Sequence, residues 1–277
     1  MFKRIPLFLI LVLGAWVLSL TTPSEAPAYE AIEVKDGGTV SGVVKFGGDI
    51  PAPEQLNIDK DPEVCGHEPR FSENLIVDKN TKAVANAVVY IQKVDKGKKF
   101  PTPSEAESMK GVPPGFRAEG HAHEHAHGEE KSEYTLDQKS CAFIPHVQII
   151  PAGSAVELRN GDPLMHNLHS YSMKNSAWNE SIPGEGKPIH KEFPFKEAVK
   201  VGCDVHKWMN AWIVVQDNPY YYLTGADGTF KITDIPPGPY KLAVWHEDFK
   251  KETLKAQTKD VNVEPGKEVT VNFELAK

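Results

Sequence analysis

Short runs in which apolar and polar residues alternate recur through most of the chain. Residues 39–46 alternate and end at a Gly-Gly pair, and residues 229–233 alternate after an Asp-Gly turn signal. Alternation with a period of two, bounded by glycine and proline, predicts half-buried β-strands. No apolar pattern of helical period extends over a convincing length. The pattern therefore predicts an all-β fold of short strands and tight turns, as in β-sandwiches.

Four further apolar runs lie in the second half of the chain, and two of them flank a short polar loop. Residues 199–201 lead into this loop and residues 211–215 lead away from it, so we predict that these two strands are neighbours. Residues 147–150 and 155–158 flank a Pro-Ala-Gly turn, which indicates a hairpin-like pair. The loop would then lie at one end of a sandwich.

The first residues have the features of an export signal. Lys3 and Arg4 precede an apolar run over residues 7–20, and Ala26-Pro-Ala28 is a small-residue cleavage site. This pattern predicts a signal peptide over residues 1–28 and a periplasmic or otherwise extracytoplasmic protein. The apolar run is short for a membrane span, so no membrane insertion is expected after cleavage. An uncleaved N-terminal anchor is the alternative.

Charge limits the possible partners, and length limits the number of domains. The formal net charge of the 277-residue chain is −7, which disfavours a role in nucleic-acid binding. Without residues 1–28, about 250 residues remain, enough for one or two domains.

The polar loop carries a set of metal-ligating side chains. Cys203, His206 and Met209 follow one another at intervals of three residues, and His166 lies upstream at the end of a predicted strand. A thiolate, two imidazoles and a thioether are the ligands of a type 1 copper site, in which Met is the weak axial ligand. We predict that Asn167 forms a hydrogen bond across to the Cys203 loop and supports this site. The alternative is that these residues are ordinary core and surface positions.

The chain has three cysteines, Cys65, Cys141 and Cys203. In an oxidising compartment an odd number indicates one bridge and one remaining thiol. With Cys203 assigned to copper, we predict a Cys65–Cys141 disulfide. Two additional free thiols are the alternative.

Residues 96–138 differ from the rest of the chain because they are rich in Lys, Pro, Glu and His. This composition predicts a solvated, flexible loop. It contains four alternating histidines, a tract that could bind a second metal ion with modest selectivity: His121, His123, His125 and His127. The tract is either a copper-capturing arm or a solvated loop with incidental metal affinity.

The copper loop resembles that of the cupredoxins. Cys203-Asp-Val-His206-Lys-Trp-Met209 has the short spacing of amicyanin-like members, and Met165-His166-Asn167-Leu168-His169 is similar to their first-ligand segment. Residues 139–217 carry this resemblance. They look like the exported cupredoxin-like proteins often labelled methylamine utilisation proteins. The resemblance implies a Greek-key β-sandwich with a mononuclear copper centre at one end.

The tail, residues 218–277, resembles a second family. Thr224-Gly-Ala-Asp-Gly-Thr-Phe230 and Ile235-Pro-Pro-Gly-Pro-Tyr240 look like carboxypeptidase regulatory-like domains, which have a transthyretin-like β-sandwich. That family begins with strands that here would lie in residues 31–95. The resemblance therefore implies an interleaved arrangement, in which the N-terminal strands complete the tail sandwich and the cupredoxin is inserted. The alternative is that residues 31–95 extend the cupredoxin.

These observations together favour a copper protein that carries electrons to or from a redox partner protein, and not an enzyme. One alternative is a copper-handling or buffering protein that uses the His tract. Another is a structural binding module in which copper is stabilising.

Overall fold

The computed structural model describes residues 29–66, 68–102 and 134–277, and within these ranges the fold is all β, as predicted. Two β-sandwiches lie against each other. We call them the central sandwich, built from strands between Tyr134 and Gln216, and the outer sandwich, built from strands on both sides of that range. The predicted signal peptide and the four alternating histidines lie outside the described residues. Among the residues described, no helix is long and apolar enough to cross a membrane.

The central sandwich consists of a four-stranded and a five-stranded sheet. Its strands are β5 (Tyr134–Lys139), β6 (Ala142–Ile144), β7 (Val147–Pro151), β8 (Ser154–Leu158), β9 (His166–Ser170), β10 (Asn179–Ile182), β11 (Ile189–Phe193), β12 (Glu197–Gly202) and β13 (Asn210–Gln216). The strand orders are β10-β9-β12-β13-β7 and β11-β8-β5-β6. Apolar side chains from the inner faces of both sheets form a single core.

Of the two strand pairs predicted from the sequence in this sandwich, one is present and one is not. The strands β12 and β13 are neighbours, as predicted; they pair antiparallel, and the polar loop connects them. The predicted hairpin of β7 and β8 is wrong, because β7 pairs parallel with β13 while β8 lies in the other sheet. Val147 and Ile149 face the outer sandwich and Ile150 faces the central core, so β7 is buried on both faces. In addition, β5 begins at Tyr134, inside the range predicted to be a flexible loop.

The outer sandwich combines strands from the beginning and the end of the chain. Its strands are β2 (Gly38–Phe46), β3 (Val88–Ile91), β14 (Tyr221–Leu223), β15 (Thr229–Ile235), β16 (Gly238–Trp245), β17 (Lys259–Val263), β18 (Glu268–Thr270) and β19 (Phe273–Leu275). The sheet orders are β14-β3-β16-β17 and β15-β2-β18, and β19 also pairs with β2. The short strands β1 (Glu30–Ala31) and β4 (Lys96–Gly97) pair with each other. A helix, α2 (Lys251–Ala256), packs against β16.

The strand pairing follows the interleaved arrangement. β2 lies between β15 and β18, and β3 lies between β14 and β16, so both N-terminal strands are interior to sheets of the outer sandwich. The segment between β2 and β3 leaves this sandwich and contributes to the central one. Its helix α1 (Pro62–Cys65) buries Cys65 in the central core.

A buried histidine makes the outer sandwich sensitive to acid. The His246 side chain donates from Nε2 to the Ala85 carbonyl (3.1 Å), and its Nδ1 accepts from the Asp248 backbone N–H (3.2 Å). Burial lowers the pKa of His246 to about 4, against the opposing effect of Glu247. The folded state holds His246 in its neutral form. The contribution of this side chain to stability is therefore complete above pH 6.5 and is lost as the pH falls from 6.5 to 4.

We therefore expect the free energy of unfolding to fall by about 3 kcal/mol over that interval from this group. In His246→Gln, which retains a donor for Ala85, the decrease should be clearly smaller. Denaturant titrations at a series of pH values measure the slope, and the exposed His190→Gln serves as control. An identical slope in His246→Gln and the wild type would refute the assignment.

Candidate metal centre

The strand ends of the central sandwich bring the predicted ligands together. Cys203 follows directly after β12, and the loop returns to β13 through His206 and Met209. Two backbone hydrogen bonds close the loop, from Cys203 N–H to Met209 O (3.1 Å) and from Met209 N–H to His206 O (2.9 Å). His166 is the first residue of β9, which pairs with β12 beside the loop.

Three donor atoms converge in the core at this end of the sandwich. His166 Nδ1 lies 2.9 Å from His206 Nδ1, and Cys203 Sγ lies 3.7 Å from His206 Nδ1. All three ligand atoms are within 4.8 Å of one another. Both imidazoles are fully buried, and Cys203 is the one free cysteine of the chain, also buried. Met209 is buried in the same apolar cluster.

Each of the two imidazoles is held from its far side by a carboxylate. His166 Nε2 lies 2.8 Å from Asp162 Oδ2, and His206 Nε2 lies 2.8 Å from Asp61 Oδ2. Asp162 is itself buried and accepts backbone N–H bonds from Ser140 (2.6 Å) and Cys141 (2.8 Å). When Nε2 of an imidazole donates to a carboxylate, Nδ1 of the neutral ring is left as an acceptor.

This arrangement leaves acceptors facing one another. The two Nδ1 atoms and the Cys203 sulfur point into one buried space, and without a cation or a proton between them their lone pairs repel. In the metal-free protein, a proton on His166 relieves part of this repulsion. Burial lowers the pKa of His166, but its hydrogen bonds to Asp162 and Cys203 outweigh burial and raise the pKa to about 9. The space is therefore suited to a positive charge.

The same surroundings favour the thiolate form of Cys203. Burial raises the pKa of the thiol, but hydrogen bonds from His166 and from the backbone N–H groups of Asn167 and His206 outweigh burial and lower it to about 6. Thiolate is the form of cysteine that binds metals. The donor set of one thiolate and two imidazoles, with a buried thioether nearby, fits copper.

Asn167 lies against the ligand loop. Its Oδ1 accepts from the Asp204 backbone N–H, and its Nδ2 donates to the side chains of Asn179 and Asp204. The residue thus ties β9 and β10 to the loop directly after Cys203. The hydrogen bond across to the Cys203 loop is therefore present, and the supporting role of Asn167 at a metal site stays a prediction.

Other side chains near the loop have different roles. Trp208 donates from Nε1 to the Cys141 carbonyl (3.1 Å), and its ring lies 5.1 Å from that of His206. His169 points away from the three donor atoms, where its Nδ1 contacts Asp204 (3.1 Å) and its ring stacks on Tyr171.

A disulfide joins Cys65 and Cys141, which is the predicted pairing. It connects helix α1 to the turn between β5 and β6, next to the metal centre. Cys141, Asp162 and His166 form a second group of close ligand atoms, but the Cys141 sulfur is in the disulfide and offers no thiolate.

The two carboxylates were not predicted from the sequence. Asp162 lies four residues before His166 in an Asn-Gly-Asp-Pro turn, and this proximity was an available signal. Asp61 is 145 residues from His206, and only the folded arrangement brings the two side chains together.

Comparison with known proteins gives one family and a set of solved structures. A model of the carboxypeptidase regulatory-like domain matches residues 209–276, which confirms the resemblance of the tail. No curated protein matches the chain.

Cupredoxins are among the similar solved structures. A copper-containing nitrite reductase from Thermus scotoductus SA-01 is 21% identical over 30% of this chain, with a TM-score of 0.28. The match spans only 22% of that reductase. A purple cupredoxin from Nitrosopumilus maritimus is 19% identical, with a TM-score of 0.27, over 30% of this chain and 99% of its own. A reduced Cu(I) amicyanin variant is 17% identical, with a TM-score of 0.28, over 30% and 81%.

Proposed function

We propose that this chain is an extracytoplasmic protein with one type 1 copper ion, and that it carries electrons to or from a redox partner protein. The observation that carries the proposal is the convergence of His166, Cys203 and His206 in a buried space, with both Nε2 atoms already bound to carboxylates. Copper, when bound, supplies a one-electron couple between Cu(II) and Cu(I). Met209 is proposed as the axial ligand.

The surrounding chain limits how far the donors can move. Asp162 and Asp61 fix the two imidazoles from behind, and the two backbone hydrogen bonds of the loop fix Cys203 relative to Met209. The core excludes water from both imidazoles. Electron transfer benefits from such restriction, because donors held by packing and outer hydrogen bonds are already arranged before reaction.

The first test is the spectrum of the copper-loaded protein. We expect the protein without residues 1–28, loaded with Cu(II), to show an intense thiolate-to-copper charge-transfer band and a narrow EPR hyperfine splitting. Because both features require the Cys203 sulfur, Cys203→Ala should abolish them.

The matched control is deletion of residues 121–127, which should leave the spectrum unchanged. A weak, broad spectrum that survives Cys203→Ala and disappears with this deletion would refute the proposal. That result would favour the alternative of a copper-buffering protein that uses His121, His123, His125 and His127.

A further inference from the structure

The segment between β2 and β3 contacts the outer edge of the His206 ring through Asp61. Asp61 lies on the long connection between β2 and β3, which otherwise belong to the outer sandwich. Among the described residues, the Asp61 carboxylate is the only polar partner of His206 Nε2. His206 is fully buried, whereas the Asp61 side chain is 43% exposed on its other side. Asp61 therefore stands between this imidazole and solvent.

The backbone around Asp61 is held in one conformation. Asp61 has a positive φ of 47°, and its carbonyl accepts from the backbone N–H groups of Val64 (3.0 Å) and Cys65 (2.8 Å). A positive φ is uncommon for residues with a side chain, although aspartate tolerates it better than most. The Asp61 carboxylate contacts His206 and makes no hydrogen bond to the backbone N–H groups of the first helical turn, as an ordinary N-cap side chain would.

Two independent links fasten this turn to the central sandwich. The first is the Cys65–Cys141 disulfide, whose sulfur-bearing residues are both buried. The second is Arg70, which donates to the carbonyl of Ser140 at 2.6 Å. Trp208 joins the same assembly through the Cys141 carbonyl. We call these residues the clasp: Asp61, Cys65, Arg70, Cys141 and Trp208.

The clasp also links the two aspartates that hold the imidazoles of His166 and His206. The backbone N–H of Cys141 donates to Asp162, which holds His166, while the disulfide partner Cys65 is part of the turn that presents Asp61 to His206. One covalent bridge thus lies between the supports of the two imidazoles. Outer partners of metal-bound histidine orient the ring and fix which nitrogen faces the metal.

We propose that Asp61 is a positioning residue of the copper centre, that it closes the outer edge of His206, and that the Cys65–Cys141 disulfide holds it there. This inference rests on the proposed function. It assigns Nδ1 as the metal-binding atom of His206, because Nε2 is bound to Asp61.

Two substitutions at Asp61 separate the effect of its hydrogen-bond acceptor from the effect of its negative charge. Asp61→Ala removes the hydrogen-bond acceptor, and we expect the affinity for Cu(II) to fall about 10-fold or more, with an altered EPR hyperfine splitting. Asp61→Asn retains an acceptor, so the spectrum should be restored. The reduction potential of Asp61→Asn should nevertheless rise, because removal of a negative charge near the metal disfavours Cu(II) more than Cu(I). Asp59→Ala, at an exposed position in the same segment, is the control and should match the wild type.

The role of the disulfide is tested by replacing both of its cysteines. The protein with Cys65→Ser and Cys141→Ser should show the same loss of Cu(II) affinity as Asp61→Ala. Adding Asp61→Ala to it should have little further effect, since residues that act as a unit are not additive. Fully additive losses would overturn the claim that the disulfide acts through Asp61.

The outcomes distinguish failure of this inference from failure of the proposed function. A wild-type type 1 spectrum with unchanged affinity and potential in both Asp61 variants overturns the inference and leaves the proposed function in place. If Asp61→Ala does not fold, the potential of Asp61→Asn decides. If the wild type itself lacks the type 1 spectrum, the proposed function fails. The ¹H–¹⁵N signals of His206 in metal-free protein then test the positioning role, which is refuted if Asp61→Ala leaves them unchanged.

Discussion

Residues 218–277 expressed alone are expected to be unfolded, although they contain nearly all of the matched carboxypeptidase regulatory-like domain. The reason is that β2 and β3 are missing from this fragment. β2 is the strand to which β15, β18 and β19 all pair, and β3 separates β14 from β16. Without them both sheets lose interior hydrogen bonds, and a large part of the apolar cluster is absent.

A second protein provides the matched control for this prediction. Residues 29–102, with Cys65→Ser, joined by a flexible linker to residues 217–277, should fold cooperatively. The ends are compatible, because Asn218 donates to the Ile91 carbonyl at 3.1 Å, so the chain returns beside β3. Circular dichroism and thermal melting distinguish the two proteins. A cooperative melt of residues 218–277 alone would show that the N-terminal strands are dispensable.

Asp162→Ala is expected to destabilise the metal-free protein strongly and also to weaken the binding of Cu(II). The Asp162 carboxylate is buried and accepts from His166 and from two backbone N–H groups, so its removal leaves three donors without this partner. Removing one partner from a buried, charged network costs about 3–5 kcal/mol. The affinity for Cu(II) should also fall roughly 10–100-fold, because His166 loses its outer partner.

Two measurements test this expectation. Denaturant unfolding of the metal-free protein at neutral pH gives the change in stability, and competition with a chelator gives the affinity for Cu(II). Asp162→Asn, which keeps one acceptor oxygen, should lie between Asp162→Ala and the wild type. The exposed Asp260→Ala is the remote control. A loss of less than about 1 kcal/mol in Asp162→Ala would show that the network does not depend on this carboxylate.

Local sequence carried enough information for much of the fold and for the candidate ligands. The alternation over residues 39–46 predicted β2, and the spacing of Cys203, His206 and Met209 indicated a loop that brings three candidate ligands to one metal ion. Such patterns are readable because a strand has a period of two and a short loop has few possible shapes.

The predictions that failed concerned relations between distant segments. The hairpin of residues 147–150 with residues 155–158 was predicted from the Pro-Ala-Gly turn between them. In the structure Val147 and Ile149 pack against the outer sandwich and Ile150 against the central core, and β7 pairs with β13 instead. Short apolar runs of this kind identify burial but not the pairing partner. Asp61 was missed for a similar reason, since nothing in its local sequence indicates a histidine 145 residues away.

The interleaved arrangement also determines the order in which the protein can be assembled. β2 leaves the ribosome early, but its hydrogen-bonding neighbours are near the end of the chain, as in the contact between Val43 and Asn272, which are 229 residues apart. Pairing across such a separation is slow, because a long loop must close before any contact forms. β2 therefore remains an unpaired edge until β15, β18 and β19 have been synthesised, a period in which it is open to aggregation. If the chain is exported as proposed, folding that begins only after translocation would avoid this period, because all partner strands of β2 are then present.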